Sequence, residues 1–379
     1  MQILFLNPFH GGSHAVVAEG YAAHSTHTVD LLTLPVIGGW RWRMRGAAIT
    51  MTRMVRARAL RPDLLLTTDM LDVTTFRALT RDVLPPTLPM VLYMHENQLT
   101  YPLPDQRARD LSFAWVNYTS ALAANAILFN SEFHRRTFLA ALPDLPGRYF
   151  DHQELDMIEQ IATRSQVLSP GIDLARHQAY APAPRTDDPN RPAVILWNSR
   201  WDYDKQPEQL FEALEVLAVR GIDFRLIMAG DCVDPGAERF MLARERWAPY
   251  LLHWGYASDF ATYSRLLHQA DIVVSTALQE FFGIGIIEAL YCGCIPILPR
   301  RLTYPDLLPA TYHADCLYNS LEELVDRLQH AIDHRHRLRR LPWRNVAAPY
   351  DWATMAPRYD AVLAEVAAQN RRETEGRDS

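Results

Sequence analysis

A chain of 379 residues is long enough for two domains of ordinary size, and 49% hydrophobic with 22% charged residues is the composition of a globular protein. A formal net charge of −6 excludes a generally basic nucleic-acid binder, so any such contact has to be local. No stretch reaches the ~18 continuous apolar residues of a membrane span, the N-terminus runs straight into a strand without a signal-peptide layout, and four cysteines (Cys232, Cys292, Cys294, Cys316) are too few and too clustered for a disulfide framework; these features predict a protein of the reducing cytoplasm.

In the first half, short apolar runs at 2–6, 28–32, 64–67, 90–93, 126–129 and 166–168 alternate with helical patterns, which predicts a doubly wound parallel sheet. The pattern stops in a proline-rich polar stretch at 181–192 that reads as a linker. It restarts with runs at 194–197, 224–229, 251–253, 272–275 and 295–298, a second doubly wound domain. The predicted boundaries are 1–178 and 179–351, with a helix at about 352–369 folding back on the first domain and a disordered polar tail at 370–379.

Taken in order, the first chemical signal is Asn7-Pro8-Phe9-His10-Gly11-Gly12-Ser13-His14, a strand–Gly-Gly–helix turn. It lacks G-x-G-x-x-G and is a weak phosphate signal, but Gly11 and Gly12 let backbone approach a ligand closely. A tight turn with no ligand role is the alternative. Residues 39–61 hold seven arginines, Arg41 and Arg43 among them, interleaved with Trp40 and Trp42, and no acidic residue falls between Asp30 and Asp63. Arginine forks bind phosphates and tryptophan stacks on bases. The apolar face Met44, Ala48, Met51, Val55 leaves docking on anionic lipid open, and so is a solvated face that binds nothing.

His95-Glu96-Asn97-Gln98 follows the apolar run at 90–93. A strand's carboxyl end makes His95 a cleft candidate, and the amides of Asn97 and Gln98 suit a polyhydroxylated ligand. Arg200 and Lys205 follow the first strand of the second half. They either pair with Asp202 and Asp204 or clamp a diphosphate. Lys205 is the only lysine among 38 basic residues, which favours a role that a guanidinium cannot fill.

Glu280 to Glu288 is the most informative stretch. The run at 271–275 reads as a buried parallel strand and 283–292 as a helix leaving it. Glu280 then stands at the strand's carboxyl end beside a helix N-terminus, where open α/β sheets bind anions. Glu288 is expected about two turns into the helix. Cys292-Gly293-Cys294 lacks a second Cys/His pair at zinc-like spacing and reads as buried structural thiols.

On the Glu280…Glu288 pair and the Arg200/Lys205 cations, the chain resembles the retaining GT-B glycosyltransferases of glycosyltransferase family 4. That resemblance implies an α/β architecture of two Rossmann-like doubly wound domains facing across a cleft. A narrower resemblance, to the tRNA-queuosine α-mannosyltransferase family, rests on Phe9 to His14, Trp40-Arg41-Trp42-Arg43, His95 to Pro102, Phe129-Asn130-Ser131, Arg200-Trp201, Asp204-Lys205, His253-Trp254-Gly255-Tyr256 and Glu280 through Cys294. The chain is shorter between its domains than the animal members, which leaves a shifted substrate open.

The resemblance implies GDP-mannose as donor and the cyclopentenediol of queuosine in a tRNA anticodon as acceptor. It implies His95, Arg200, Lys205 and Glu280 as catalytic groups. The donor would lie on Gly11, Gly12, Gly255, Tyr256, Glu280, Phe281, Phe282, Gly283, Ile284 and Glu288 besides the two cations, and the acceptor on Asn97, Gln98, Arg41, Trp42 and Arg43. No cofactor and no essential metal are expected. A glycosyltransferase for a lipid or small acceptor, and a non-catalytic nucleotide-sugar-binding protein, are the alternatives.

Overall fold

The structure, a computed structural model, describes residues 1–103, 108–182, 191–231 and 238–378. Cys232 and most of the expected linker at 181–192 lie outside the described residues. The chain forms two compact units, one of residues 1–172 and 352–379, the other of residues 173–351.

The first unit is built on a six-stranded parallel sheet: β1 (Gln2–His10), β2 (Thr28–Pro35), β3 (Leu64–Thr68), β4 (Met90–Met94), β5 (Ala126–Phe129) and β6 (Ser165–Val167), in the order β2-β1-β3-β4-β5-β6. Strands β3, β4 and β5 are buried on both faces, which is why they read as unbroken apolar runs. Alternate residues feed two cores. Leu4, Leu6, Leu65 and Leu92 face one, with Met51 and Val55 of the helix Gly39–Arg56. Ile3, Phe5, Leu64, Leu66 and Val91 face the other, with Val17 and Tyr21 of the helix Gly12–His24 and Trp352, Met355, Tyr359 and Leu363 of the last helix.

That last helix runs Trp352–Asp378 without a break. The segment from residue 370, expected as a disordered tail, continues this helix. The side chain of Asn370 donates to Thr87 O at 2.7 Å, so the packed helix extends past the last apolar position. Trp352 fits only because Gly20 and Gly171 face it; a Cβ at either would lie 2.0 or 2.3 Å from the indole. Asp360 fastens the helix by accepting from Tyr21 Oη at 2.9 Å, Ser25 Oγ at 2.6 Å, Thr26 N at 2.8 Å and Thr26 Oγ1 at 2.6 Å.

The second unit carries β7 (Ala193–Asn198), β8 (Phe224–Ala229), β9 (Leu251–Gly255), β10 (Ile272–Val274), β11 (Ile295–Pro299) and β12 (Leu317–Tyr318), all parallel, ordered β12-β11-β10-β7-β8-β9. No apolar run announces β12 in the sequence, because two residues give no periodic signal. The unit begins at Asp173, earlier than the expected 179. The 3₁₀ turn Ala175–Tyr180 belongs here, because buried His177 packs on Phe260 and bonds Ser264. Asp271 registers β10 against β7, accepting from Val194 N at 2.9 Å while its own N–H donates to Val194 O. Arg191 and Arg339 neutralise it.

Strand order reverses between β1 and β3 in the first unit and between β7 and β10 in the second. Splayed loops at such switch points leave a crevice at the strands' carboxyl ends, the general ligand site of open α/β sheets.

Candidate active site

In the second unit the switch point sets the segment after β7 against the segment after β10. Lys205 lies on the short turn Tyr203–Lys205, and Glu280 lies beyond β10. The Lys205 ammonium donates to Gln279 O at 2.5 Å and to Glu280 Oε2 at 3.2 Å, and lies 3.3 Å from Asp204 Oδ2. Its side chain is 12% exposed, Asp204 is fully buried and Glu280 is 27% exposed. Burial pulls the lysine's pKa down, but the Glu280 and Asp204 carboxylates outweigh it and hold the group above its ordinary value. Arg200 lies 3.7 Å from Asp202 and 3.6 Å from Asp204. The two cations thus pair with the neighbouring aspartates, and Lys205 also reaches Glu280.

Gly283 caps the helix Ile284–Tyr291 in the left-handed conformation, φ +96°, which a glycine adopts without strain. The helix starts at Ile284, so Glu288, four residues on, sits about one turn in and not the expected two. Phe281 and Phe282 are buried, so a ligand at this bend would meet their backbone and not their rings. Glu288 accepts from Tyr263 Oη at 2.6 Å and lies 3.5 Å from His177 Nε2. Asn198, the last residue of β7, donates to the same Tyr263 oxygen at 2.8 Å.

Beside this group a cavity of about 350 Å³ is lined by Asn198, Gly230, Tyr256, Asp259 and Tyr263 among others. Gly230 is obligatory there, since a Cβ would lie 1.9 Å from Ser199 O. Gly255 turns β9 toward the cavity at φ +109°, and Tyr256 stands exposed on its rim.

In the first unit, His95 follows β4 and packs on His14 with the rings tilted by 33°, their centroids 4.1 Å apart. Both are buried. Burial first, then neighbouring imidazoles, drives their pKa values down, His14 to about 3. His95 is therefore neutral: it exchanges hydrogen bonds but supplies no positive charge. Its backbone N–H donates to Asp69 Oδ1 at 2.8 Å and its carbonyl accepts from Asn130 Nδ2 at 2.8 Å. Burial, then Glu96, pushes the Asp69 carboxyl well above the usual range. Gly12 has φ +53° and open space around it, whereas Gly11 is needed for packing against Val36.

The expected acceptor residues divide. Asn97 spends its carbonyl on Leu99 N and Thr100 N and donates from its amide to Thr100 Oγ1, so it builds a turn. Gln98 donates to Glu96. Arg43 ties the carbonyls of Pro35 and Ile37 and so shapes the preceding loop. Arg41 lies over the Trp40 ring and Trp42 is 59% exposed. Cys292, Cys294 and Cys316 are buried free thiols. Among the described residues no cluster of three or more His, Cys, Asp or Glu forms a metal site, and no helix is long and apolar enough to cross a membrane.

Comparison with known proteins is consistent with this geometry. Residues 184–341 match the family described as glycosyl transferases group 1. The fold is similar to that of Anabaena Alr3699/HepE, solved in complex with UDP and glucose, at a TM-score of 0.68 and 15% identity over 96% of this chain and 99% of that one. The protein is a glycosyltransferase of the GT-B class. Residues 2–172 match the family described as tRNA-queuosine alpha-mannosyltransferase N-terminal. The chain is 30% identical over 332 residues to the tRNA-queuosine alpha-mannosyltransferase of Drosophila melanogaster, covering 86% of this chain and 85% of that one. It is 25% identical over 350 residues to the GDP-mannose-dependent alpha-(1-6)-phosphatidylinositol dimannoside mannosyltransferase of Mycobacterium tuberculosis, covering 91% and 83%. The chain belongs to the tRNA-queuosine alpha-mannosyltransferase family.

Proposed function

We propose that the enzyme moves mannose from GDP-mannose onto the cyclopentenediol of queuosine in tRNA, with retention of configuration and without an essential metal. The observation that carries the reading is the match of residues 2–172 to the queuosine-enzyme N-terminal family. The second half matches only the general description of glycosyl transferases group 1, so the match of the first half is what favours a tRNA acceptor over the lipid named for the mycobacterial relative.

The second unit's residues fall into roles. Lys205 and Arg200 neutralise the diphosphate as the glycosidic C–O bond breaks. Backbone N–H groups after Gly283 and the helix dipole add fixed positive charge. Glu280, held by Lys205, accepts from sugar hydroxyls, and Glu288 accepts from the ribose diol. The acceptor hydroxyl attacks from the leaving-group face, and the departing phosphate oxygen takes its proton, so no protein nucleophile is required.

Incubation with queuosine-containing tRNA and a panel of GDP- and UDP-sugars, read by nucleoside mass spectrometry, tests the reading. One hexose on queuosine from GDP-mannose is expected; hexose on lipid extract but none on tRNA overturns it.

A further inference from the structure

Glu288 is not merely placed near the cavity; its carboxylate is aimed. Asn198 has two amide hydrogens, and both are spent. One goes to Gly285 O at 3.3 Å, on the helix that carries Glu288, and the other to Tyr263 Oη at 2.8 Å. A hydroxyl that already accepts from an amide has one hydrogen to give, and that hydrogen lies on the 2.6 Å line to Glu288 Oε2. The direction of the chain Asn198 → Tyr263 → Glu288 is thereby fixed.

The second carboxylate oxygen is approached more loosely, by a ring nitrogen that has no hydrogen-bond partner of its own among the described residues. Glu288 Oε1 lies 3.5 Å from Nε2 of fully buried His177. Nδ1 of that ring meets Ser264 Oγ at 3.0 Å, and the His177 carbonyl is satisfied by His268 Nε2 at 2.9 Å. Ser264 Oγ also donates to that carbonyl at 3.4 Å, so the serine does not fix the tautomer; the acceptor-only carboxylate opposite Nε2 favours the ring proton there, since the other tautomer would set a lone pair against it. Tyr263, Ser264 and His268 all belong to the helix Phe260–Gln269, so a single element holds both Glu288 Oε2 and the imidazole that faces Oε1. Glu288 keeps 15% side-chain exposure, and Tyr263 and Asn198 line the neighbouring cavity.

We propose that Tyr263 and His177 are positioning residues that lock the Glu288 carboxylate in the orientation that accepts both hydroxyls of a ribonucleoside diol, and that they set the enzyme's discrimination between ribo- and deoxyribonucleotide donors. This rests on the donor-binding role assigned above to Glu288, but not on the identity of the acceptor. A carboxylate free to rotate satisfies one hydroxyl nearly as well as two. A carboxylate fixed on both oxygens loses a charge-assisted bond when either hydroxyl is removed.

The test is equilibrium titration of the full chain with GDP and UDP and with their 2′-deoxy and 3′-deoxy counterparts, for wild type, Tyr263→Phe, His177→Leu, His177→Gln and Glu288→Gln. No acceptor is present, so failure of the tRNA reading leaves the measurement intact. In wild type, loss of one hydroxyl should weaken binding about ten- to a hundredfold. Tyr263→Phe and His177→Leu should shrink that ratio to within about threefold, chiefly by weakening the ribonucleotides, whereas Glu288→Gln should shrink it while also weakening the deoxynucleotides, whose remaining hydroxyl the carboxylate holds. His177→Gln, which retains an N–H donor, should recover part of it. Thermal unfolding of each variant guards against loss of fold: a structural defect weakens ribo- and deoxyribonucleotides alike, and that result overturns the proposal. So does a ratio unaltered in a well-folded Tyr263→Phe, or a wild type that does not discriminate.

Discussion

Truncating Lys205 tests the electrostatics of the site with the least ambiguity, because it is the only lysine in the chain. Its ammonium is 3.2 Å from Glu280 and 3.3 Å from Asp204. At those distances and an effective dielectric of about 20, each pair is worth roughly 5 kcal/mol before desolvation. Lys205→Ala leaves fully buried Asp204 facing Arg200 at 3.6 Å without the ammonium, and leaves Glu280 unanchored. After discounting the ammonium's own burial cost and the exposure of Glu280, the net loss is about 3 kcal/mol. In a unit of this size that lowers the midpoint of thermal unfolding by roughly 6–12 °C. Transfer should fall on the order of a hundredfold or more. Lys205→Arg separates the two effects. It keeps the charge, so the stability loss should be about half as large. A planar fork cannot serve Gln279 O, Glu280 and Asp204 together, so turnover should still fall at least about tenfold. Circular dichroism melts and initial rates of donor consumption measure both. A Lys205→Ala protein that melts within about 1 °C of wild type and turns over normally would refute the reasoning.

Three further outcomes are expected. His14 and His134 have folded pKa values near 3 and His95 one well below its ordinary value, so below pH 6.5 the unfolded chain binds more protons than the native one. Stability is therefore full above pH 6.5 and declines as pH falls, by up to about 1.4 kcal/mol per unit for each histidine; His14→Gln should flatten urea-unfolding curves across pH 4–6.5. Asp360→Ala removes the acceptor of four hydrogen bonds that fasten the last helix, and should cost about 3 kcal/mol in urea melts while leaving nucleotide affinity unchanged. Trp42→Ala should weaken binding of queuosine-containing tRNA about tenfold in gel shifts without altering donor hydrolysis; retained tRNA affinity together with lost binding to anionic liposomes would favour a lipid acceptor.

The sheets are legible in the sequence because parallel strands buried on both faces are written as apolar runs: β5 and β8 coincide with their expected spans, and Glu280 stands beyond β10 as its place after the run at 271–275 requires. Edges are harder. β1 continues through polar Asn7 to His10, and the last helix continues through a charged segment, since in both places tertiary packing prolongs what local pattern would end. The site is legible where a residue type is scarce or sits at a glycine bend, as with Lys205 and Gly283. It is illegible where partners are distant in sequence: Tyr263 is 25 residues from Glu288, and His177 reaches the same carboxylate from the other side of the linker. His14 stands out only as part of a motif, because its contact with His95 joins the helix after β1 to the loop after β4, two strands that β3 separates in the sheet. Asn97 and Arg43 show the opposite case. As residue types they suit a ligand, but nearby backbone claims their side chains.

The account turns on a diphosphate held at the β7/β10 switch point. A crystal structure of the enzyme soaked with intact GDP-mannose addresses this directly. The account predicts phosphate oxygens within hydrogen-bonding distance of Lys205 and Arg200, and both ribose hydroxyls on Glu288. A nucleotide bound elsewhere, with Lys205 still directed only at Glu280 and Asp204, would contradict it.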